Sequence, residues 1–463
     1  MTAPVIYWYR RDLRLDDLPG LQAAAAQGKV IPCFVLDDDS PGAWAPGTAS
    51  RWWLHHSLAS LEAAFSALGS QLVVLRGDTA ETLASLARTT GASAVFCSER
   101  YEPWGRQTDQ LTRELLQQQD VEMHTYPGIS LVHPEALRRP DGGIYKVYTP
   151  FWRRLRQCKI ATPLPAPAAS SFHDGGLRSL ASNKWNLIVG DQEYNAAMTQ
   201  PWEPGEAGAQ RRLQMFLERH VKHYDAQRNL PAEDACSRLS PHLHFGEVSP
   251  QQVWHAAACL GPEAEGFLSE VAWREFNYHQ LYAHPTMPEV ALREPFRTFP
   301  WSPREDLFDA WRAGQTGYPL VDAGMRELAA TGFMHNRVRM VAASFLCKHL
   351  LIPWQWGARW FWDQLVDADL ANNSGGWQWV AGCGLDAAPY FRVFNPMLQS
   401  EKFDGAGAYL RKWVPELREL DNKQIHKPWT APLLAPDYPP PIVDHSDARA
   451  AALAAWDTIR QSA

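Results

Sequence analysis

The chain has 463 residues, of which 46 % are hydrophobic and 21 % charged. This composition is that of a globular protein and rules out general disorder. The chain is too long for a single hydrophobic core, so we expect two or three domains. The seven cysteines form no CxxC pair, which argues against a disulfide framework and a structural zinc site and favours a reducing cytoplasm. The net charge of −7 argues against wholesale wrapping of nucleic acid, and we find neither a signal peptide nor an apolar run long enough to span a bilayer.

Short apolar runs alternate with amphipathic stretches over residues 1–130. The runs are dense in β-branched and aromatic residues and are predicted strands: PVIYWY (4–9), VIPCFVL (30–36), QLVVL (71–75), AVFC (94–97) and VEMHTY (121–126). The amphipathic stretches include 50–68 and 79–90, which are predicted helices. Such alternation predicts a Rossmann-like α/β domain with a parallel sheet covered on both faces. No GxGxxG follows the first strand, so a dinucleotide on this sheet is not indicated.

The strand signal ends beyond this domain. Residues 131–204 are a predicted linker that contains the Pro/Ala/Ser-rich stretch ATPLPAPAASS (161–171). Helical patterns dominate from residue 205 to residue 463, and we therefore predict an all-α second domain there.

One predicted helix of that domain, GFLSEVAWREFNYH, carries a stripe of unusual chemistry. Glu270, Trp273, Arg274 and Asn277 are spaced i, i+3, i+4 and i+7 and so share a face. On spacing alone the favoured interpretation is a helix packed through Trp273 with a surface Glu270–Arg274 ion pair; a binding stripe is the alternative.

A second stripe lies in FMHNRVRMVAASF. Asn336, Arg339 and Met340 share a face, from which Arg337 is expected to turn aside. A buried charge needs a partner, and Asp367 or Asp369 of the DADLANN segment is the candidate for Arg339. A purely structural ion pair is equally compatible with the spacing.

Two further features stay open on sequence alone. ACSRLSPHLHFGEVSP places Ser237 and Ser240 around Arg238 at a predicted helix start, which could hold a phosphate or could simply cap the helix. The chain also has 21 tryptophans. Core packing is the default interpretation for those in FPWSP, IPWQW and GGWQW.

Together these segments resemble the DNA photolyase/cryptochrome family over nearly the whole chain, and most of all its class I cyclobutane pyrimidine dimer photolyases. The blocks that carry the resemblance occur in the family's order: WYRRDLRLDD, YKVYTPFWRR, SRLSPHLHFGEVSP, WREF, TGYPLVDAGMRELAATGFMHNRVRM, DADLANNSGGWQW and DAAPYFRVFNP. The family fold is an α/β antenna domain, a linker and an all-α domain that holds FAD, active in its reduced anionic form.

The resemblance implies which residues bind FAD. Tyr224 and the stretch Cys236, Ser237, Arg238, Leu239 and Ser240 would hold the diphosphate and ribityl chain; Cys236 stands where many relatives have Thr, so one hydrogen bond there is in question. Asp367, Ala368 and Asp369 would lie along the flavin, with Arg339 paired to Asp367. Asn336 is expected to reach the cofactor too, and Asn373 would face flavin N5 as a neutral hydrogen-bonding amide.

The resemblance also implies a pocket for a dimer flipped out of DNA. Trp273 and Trp379 would form its walls, Met340 would close one side, and Glu270, Asn277 and Asn336 would contact the pyrimidines, with Glu270 stabilising the dimer radical anion. Arg228, Arg337 and Arg392 would contact phosphates beside the lesion. The partner is therefore UV-damaged DNA, with no membrane, no obligate protein partner and a monomeric state expected.

In the family, photoexcited reduced FAD gives an electron to the dimer and recovers it after ring opening, and Trp377, Trp354 and Trp301 resemble its tryptophan chain for flavin photoreduction. Arg51 and Glu102 resemble residues lining a second, antenna chromophore: 8-hydroxy-5-deazaflavin, which we favour, methenyltetrahydrofolate or FMN. No metal is expected. Two alternatives remain: a cryptochrome photoreceptor, for which a long extension beyond Trp413 is expected, and a (6-4) photolyase, for which His is expected at positions 336 and 340.

Overall fold

The computed structural model describes residues 3–189, 192–199, 201–387 and 391–461. Ala388, Pro389 and Tyr390 of the DAAPYFRVFNP block lie outside the described residues.

A parallel sheet of order β3-β2-β1-β4-β5 forms the centre of the N-terminal part. Val5 of the central strand pairs with Val30 on one side and Ala94 on the other. The three central strands are buried along their whole length, as continuous apolar runs predict for a sheet covered on both faces. The strands are β1 (Val5–Tyr9), β2 (Val30–Leu36), β3 (Val73–Arg76), β4 (Ala94–Ser98) and β5 (Glu122–Tyr126).

Helices cover both faces of this sheet: α1 (Pro19–Gln27), α2 (Thr48–Ala67), α3 (Thr79–Thr90) and α4 (Pro103–Gln117). Local signals in the sequence explain where helix α3 begins and ends. Asp78 caps its N-terminus by accepting a hydrogen bond from the Glu81 amide at 2.9 Å. Gly91 ends it with a φ of 65°, a left-handed conformation that glycine adopts without a Cβ penalty. The predicted α/β fold is confirmed.

The segment between the two parts contains α5 (Tyr148–Leu155) and α6 (Gln192–Thr199). Residues 161–168 of the Pro/Ala-rich stretch have no regular secondary structure. The segment packs on both sides, because Trp185 lies in the core of the N-terminal part and Phe151 in a core of the helical part. The domain limits 1–130, 131–204 and 205–463 stay predictions.

The C-terminal part is helical, with no strand among its described residues from 205 onward, and the all-α prediction is confirmed. Helix α14 continues into a π-helix at Phe345–His349. The helices are α7 (Glu206–Arg219), α8 (Tyr224–Gln227), α9 (Ser240–Phe245), α10 (Pro250–Ala258), α11 (Glu265–Ala283), α12 (Glu305–Arg312), α13 (Pro319–Thr331), α14 (Asn336–Ser344), α15 (Trp354–Gln364), α16 (Leu370–Ala381), α17 (Pro396–Phe403), α18 (Ala408–Trp413) and α19 (His445–Gln461).

A buried carboxylate joins the two parts. Glu247, which is fully buried, accepts hydrogen bonds from Trp53 Nε1 at 3.0 Å, Ser57 Oγ at 2.5 Å and the Gly205 amide at 2.7 Å. Since an unpaired buried charge is costly, this arrangement fixes the register of α2 against the helical part. Across the described ranges, no helix combines the length and the apolar character needed to cross a membrane.

Candidate functional site

Helices α9, α11, α14 and α16 surround a cavity of about 550 Å³, a size typical of ligand pockets. Eighteen of the residues that the sequence singled out line it together: Tyr224, Arg228, Ser237, Leu239, Ser240, Glu270, Trp273, Asn277, Asn336, Arg337, Arg339, Met340, Asp367, Ala368, Asp369, Asn373, Trp377 and Trp379. Its deep wall includes the buried residues Ala368 and Asp369, whereas Trp273, Met340 and Trp379 are partly exposed and Asn336 is exposed at the mouth.

An ion pair forms part of the wall. Arg339 Nη2 lies 3.0 Å from Asp367 Oδ2, so the predicted choice between Asp367 and Asp369 falls on Asp367. Ser240 Oγ donates to the same oxygen at 2.6 Å. The other carboxylate oxygen, Asp367 Oδ1, is buried with no hydrogen-bond partner in the structure. Because buried polar atoms are rarely left unpaired, this oxygen calls for a donor on a molecule bound in the cavity.

Helix α16 is anchored at its N-terminus by Asp369, which accepts from the Asn372 amide through Oδ1 at 2.9 Å and pairs with Arg11 through Oδ2 at 3.2 Å. Burial alone would raise the pKa of Asp369, but a hydrogen bond with His244 and the charges of Arg11 and Arg274 hold that pKa well below its usual range. The negative charge of Asp369 in this part of the wall is therefore compensated by Arg11.

One turn further along α16, Asn373 lines the cavity. Its Nδ2 donates to the Ala358 carbonyl at 2.9 Å, which leaves Oδ1 as the atom free to meet a bound group. The amide adds a hydrogen-bonding atom to the wall without adding charge.

The three tryptophans of the predicted electron-transfer chain lie on or beside α15. Trp377 lines the cavity, and its indole fits against Gly357 of α15, where a Cβ would collide with the ring. Trp354 lies one turn before Gly357 on the same helix and is buried. The Ser302 amide donates to the Leu351 carbonyl at 2.7 Å, which brings the partly exposed Trp301 beside the start of α15.

The stripe on α11 faces the cavity. Glu270 does not pair with Arg274, so the favoured surface-pair interpretation is wrong. Glu270 Oε1 lies 2.5 Å from Arg228 Nη1, while Arg274 is buried and donates to the Ile129 carbonyl at 2.7 Å and to Glu275 at 2.9 Å. The reason is that Arg274 points toward the interior, where Glu275 and the Ile129 carbonyl accept its hydrogen bonds.

Asn277 joins two walls of the cavity. Its Nδ2 donates to Asn372 Oδ1 at 3.0 Å, which ties α11 to α16. A side chain at Gly375 would collide with the Asn277 amide, whereas one at Gly376 would meet nothing, so the first glycine of the SGGW segment allows this close approach.

Comparison with known proteins identifies the architecture. Residues 5–168 match the family model described as DNA photolyase, and residues 267–458 match the FAD binding domain of DNA photolyase. The chain belongs to the DNA photolyase and cryptochrome family. The cavity is thus that of a photolyase-type FAD-binding domain, and FAD is its cofactor.

Relatives within the family include both photolyases and cryptochromes. The chain is 44 % identical to a deoxyribodipyrimidine photo-lyase of Agrobacterium fabrum, over 100 % of this chain and 99 % of that protein. It is 36 % identical to Cryptochrome-2 of Arabidopsis thaliana, over 97 % of this chain and 78 % of that protein.

Two solved structures of family members have the same fold. A class III photolyase from Agrobacterium tumefaciens superposes with a TM-score of 0.94 at 43 % identity, covering 100 % of this chain and 98 % of that one. An archaeal photolyase from Sulfolobus tokodaii with two FAD molecules gives a TM-score of 0.87 at 30 % identity, covering 98 % and 100 %. The placement in class I stays a prediction.

Three of the residues predicted at the FAD and DNA sites, Cys236, Arg238 and Arg392, do not line the cavity. Trp354 and Trp301 of the predicted tryptophan chain do not line it either. Cys236 Sγ points instead toward His335 Nε2 at 3.5 Å, and burial raises the pKa of this thiol to about 11. Arg238 has a φ of 51° and turns outward to pair with Asp234 at 3.1 Å. Arg392 is exposed beside the cavity rather than in its wall.

Arg337 was expected to turn away from the Asn336 face, which is wrong. It lines the cavity and donates to Asn229 Oδ1 at 2.8 Å. Burial and the nearby charges of Arg228 and Arg392 lower the pKa of Arg337. Three guanidinium groups therefore converge at the mouth.

A second, smaller cavity lies against the N-terminal sheet. Arg51 lines it, as predicted, together with Arg10, Arg11 and Arg100. Glu102 does not; it is buried and pairs with Arg11 at 2.8 Å and Arg100 at 3.0 Å. Burial raises its pKa, but the charges of Arg100 and Arg11 outweigh this and lower the pKa of Glu102 to about 2.

This second cavity has a volume of about 150 Å³, below the roughly 300 Å³ at which ligand pockets usually begin. The side chains as arranged do not fit a multi-ring chromophore, so the antenna assignment stays a prediction and nothing is derived through it. Sequence reasoning missed His244, which lines both cavities. A histidine inside PHLHF (241–245) carries no pattern that separates it from a core residue.

Proposed function

We propose that this chain is a light-driven lyase that repairs cyclobutane pyrimidine dimers in DNA. The observation that carries the proposal is the meeting, in one cavity, of a deep polar wall suited to FAD and a partly exposed mouth with indole walls. Asp367 and Asp369 lie on the deep side, with the Asp367 side chain 4 % exposed, whereas the Glu270 side chain is 30 % exposed and Trp273 and Trp379 are partly exposed nearer the mouth. The cofactor and a flipped-out pyrimidine dimer would then be direct neighbours.

The deep part fits FAD. Asp367 Oδ1 is a buried acceptor without a donor, and the hydroxyl and N–H groups of FAD would supply one. Ser237, Tyr224 and Arg339 offer further hydrogen-bonding groups around it. When bound, reduced FAD excited by blue or near-UV light supplies the electron that opens the cyclobutane ring.

The mouth fits a pyrimidine dimer. Trp273 and Trp379 provide flat apolar surfaces, and Met340 provides an adaptable one. Glu270 would accept hydrogen bonds from pyrimidine N–H groups. Arg228 already holds this carboxylate through Nη1, and it keeps other guanidinium N–H donors for a phosphate.

The converging charges of Arg228, Arg337 and Arg392 support binding of the DNA backbone beside the lesion. A net charge of −7 does not oppose this, because exposed charges farther away than about 10 Å are largely screened at 0.1 M salt. The local cluster, rather than the overall charge, determines the contact.

The test is direct repair. Protein reduced with dithionite in the dark is mixed with an oligonucleotide that contains one thymine cyclobutane dimer and is then illuminated. We expect monomeric thymines in the light and none in the dark. In Glu270→Ala, the yield per absorbed photon should fall while the FAD content stays unchanged. Absence of repair by the reduced, illuminated wild-type protein rejects the proposal.

A cryptochrome-type photoreceptor is the second candidate, because similarity to Cryptochrome-2 extends over 97 % of this chain. It predicts comparable affinity for damaged and undamaged DNA and no repair. A (6-4) photolyase is less well supported, since Asn336 and Met340 stand where histidines are expected. An oligonucleotide carrying a (6-4) photoproduct in the same assay separates this case.

A further inference from the structure

Tyr148 lies outside the cavity but against one of its walls. It is the first residue of α5, in the segment between the two parts of the chain, and is buried. Its ring stacks on the Trp273 indole with centroids 3.8 Å apart and planes 6° from parallel. Phe276 meets both rings edge-on, at 5.7 Å from Trp273 and 6.0 Å from Tyr148.

The stack leaves a single open face on the indole. Trp273 lines the cavity whereas Tyr148 does not, so Tyr148 covers the face directed away from the cavity. A base that stacks on Trp273 must therefore use the opposite face. Tyr148, Trp273 and a bound base would then lie in one column.

Hydrogen bonds fix the orientation of the Tyr148 ring. Its hydroxyl donates to the Ser269 carbonyl at 2.6 Å and lies 2.8 Å from Ser269 Oγ. Ser269 precedes Trp273 by four residues on α11, so both lie on the same face of the helix. The tyrosine is thus attached at its hydroxyl to the same helix on which its ring stacks.

The same residue also holds another part of the rim. The Tyr148 amide donates to Asp386 Oδ2 at 3.0 Å, and Asp386 lines the cavity on the loop that follows α16. One residue therefore contacts two walls that approach the mouth from different elements. No other assignment of Tyr148 is needed to explain these contacts.

From this geometry we infer that Tyr148 is a positioning residue for lesion recognition: it holds the Trp273 indole in the orientation that receives the damaged base. This inference rests on the proposed repair function and extends it to a residue outside the cavity. Without the tyrosine, the indole could rotate into the vacated space and would have to be ordered again on binding. Ordering one such side chain on binding corresponds to roughly a three- to tenfold change in affinity.

The experiment measures binding rather than repair. FAD-loaded protein is titrated in the dark with a dimer-containing oligonucleotide and with its undamaged counterpart. For Tyr148→Leu we expect affinity for damaged DNA to fall about three- to tenfold, with affinity for undamaged DNA and FAD content unchanged. Tyr148→Phe, which keeps the stack and loses only the hydroxyl, is the matched control and should stay within about twofold of wild type.

A double-mutant cycle shows whether Tyr148 acts through Trp273. In a Trp273→Leu background, Tyr148→Leu should weaken binding of damaged DNA less than about twofold, because the ring it would position is absent. Losses that multiply in the double variant overturn the inference, as does wild-type affinity in Tyr148→Leu. If Tyr148→Leu does not fold, Tyr148→His, which keeps a smaller flat ring, should give an intermediate loss; an affinity below that of Trp273→Leu would contradict the role.

The titration also separates this inference from the proposed function. If the unaltered protein binds both oligonucleotides equally, lesion recognition fails and the role of Tyr148 falls with it. If the unaltered protein prefers damaged DNA and Tyr148→Leu keeps that preference, only the role of Tyr148 is wrong.

Discussion

Gly357 of α15 is the position where the smallest change should disturb Trp377, the innermost member of the predicted tryptophan chain. A Cβ added there would lie 2.5 Å from Trp377 Cζ3, closer still to Cη2, and 2.6 Å from Leu346 Cδ2. Carbon atoms in contact are normally about 3.5–4.0 Å apart, so Gly357→Ala overlaps the indole by about 1 Å or more. Leu346 can move because its Cδ2 is the end of a flexible side chain, whereas the Trp377 indole is a rigid ring.

Two effects of opposite sign decide the stability of this variant. Alanine favours a helix over glycine by about 0.8–1 kcal/mol, and forcing an extra methyl into a packed site costs about 1–3 kcal/mol. The net expectation is a loss of up to about 2 kcal/mol. The two indole atoms that the added Cβ would overlap, Cη2 and Cζ3, belong to the six-membered ring at the far end of the side chain. A phenylalanine side chain is shorter and does not extend that far. In a Trp377→Phe background, Gly357→Ala should therefore be neutral or stabilise by up to about 1 kcal/mol.

Urea unfolding of the four FAD-free proteins, namely wild type, the two single variants and the double variant, measures this coupling. We also expect slower flavin photoreduction in Gly357→Ala under blue light with a thiol donor, because the indole is displaced from its place in the chain. An equal loss of stability in both backgrounds would show that the ring is not what the added methyl meets, and the packing argument would be refuted.

Two further predictions concern Trp377 and a buried lysine. Trp377→Phe should slow flavin photoreduction but leave repair by dithionite-reduced protein largely intact; an equal loss of both would contradict its role as an electron donor. Lys348 is buried and donates to the Arg392 carbonyl at 2.6 Å. Burial, helped by the charge of Arg392, lowers its pKa from 10.5 to about 8 against weaker raising contributions from Cys347 and Cys383. Between these pH values the unfolded chain binds a proton that the folded chain does not, so wild-type stability should rise with pH, by up to about 3 kcal/mol relative to Lys348→Met. Urea unfolding at pH 8 and 10.5 checks this, and a constant difference between the two proteins would exclude a neutral lysine.

The sheet could be predicted because its strands correspond to short apolar runs in the sequence. A strand buried on both faces needs an unbroken apolar run, and VIPCFVL matches β2 residue for residue. Helix α3 likewise matches the predicted 79–90, since its cap and its terminal glycine are local signals. Both kinds of evidence depend only on neighbours along the chain.

The partners of charged side chains were less predictable. The spacing along α11 suggested Arg274 as the ion-pair partner of Glu270. The actual partner is Arg228, which lies 42 residues away in the sequence. Glu102 resembled a cleft residue and is instead the counter-ion of Arg11 and Arg100. Helical periodicity gives the face on which a residue lies, while its ion pair depends on which elements pack against that face.

The distribution of charge around the main cavity is more informative than its sum. Three acids of the wall are each compensated by an arginine, Asp367 by Arg339, Asp369 by Arg11 and Glu270 by Arg228, and a fourth, Asp386, accepts a hydrogen bond from the Tyr148 amide instead. Arg337 and Arg392 form no ion pair within the described residues. The deep wall is thus close to neutral, which suits an anionic reduced flavin beside the uncharged Asn373. The uncompensated charge is positive and lies at the mouth, where a phosphate backbone would pass. The division follows from how the arginines are paired: Arg339 and Arg11 meet acids of the deep wall, whereas Arg337 and Arg392, outside any ion pair among the described residues, lie at the rim.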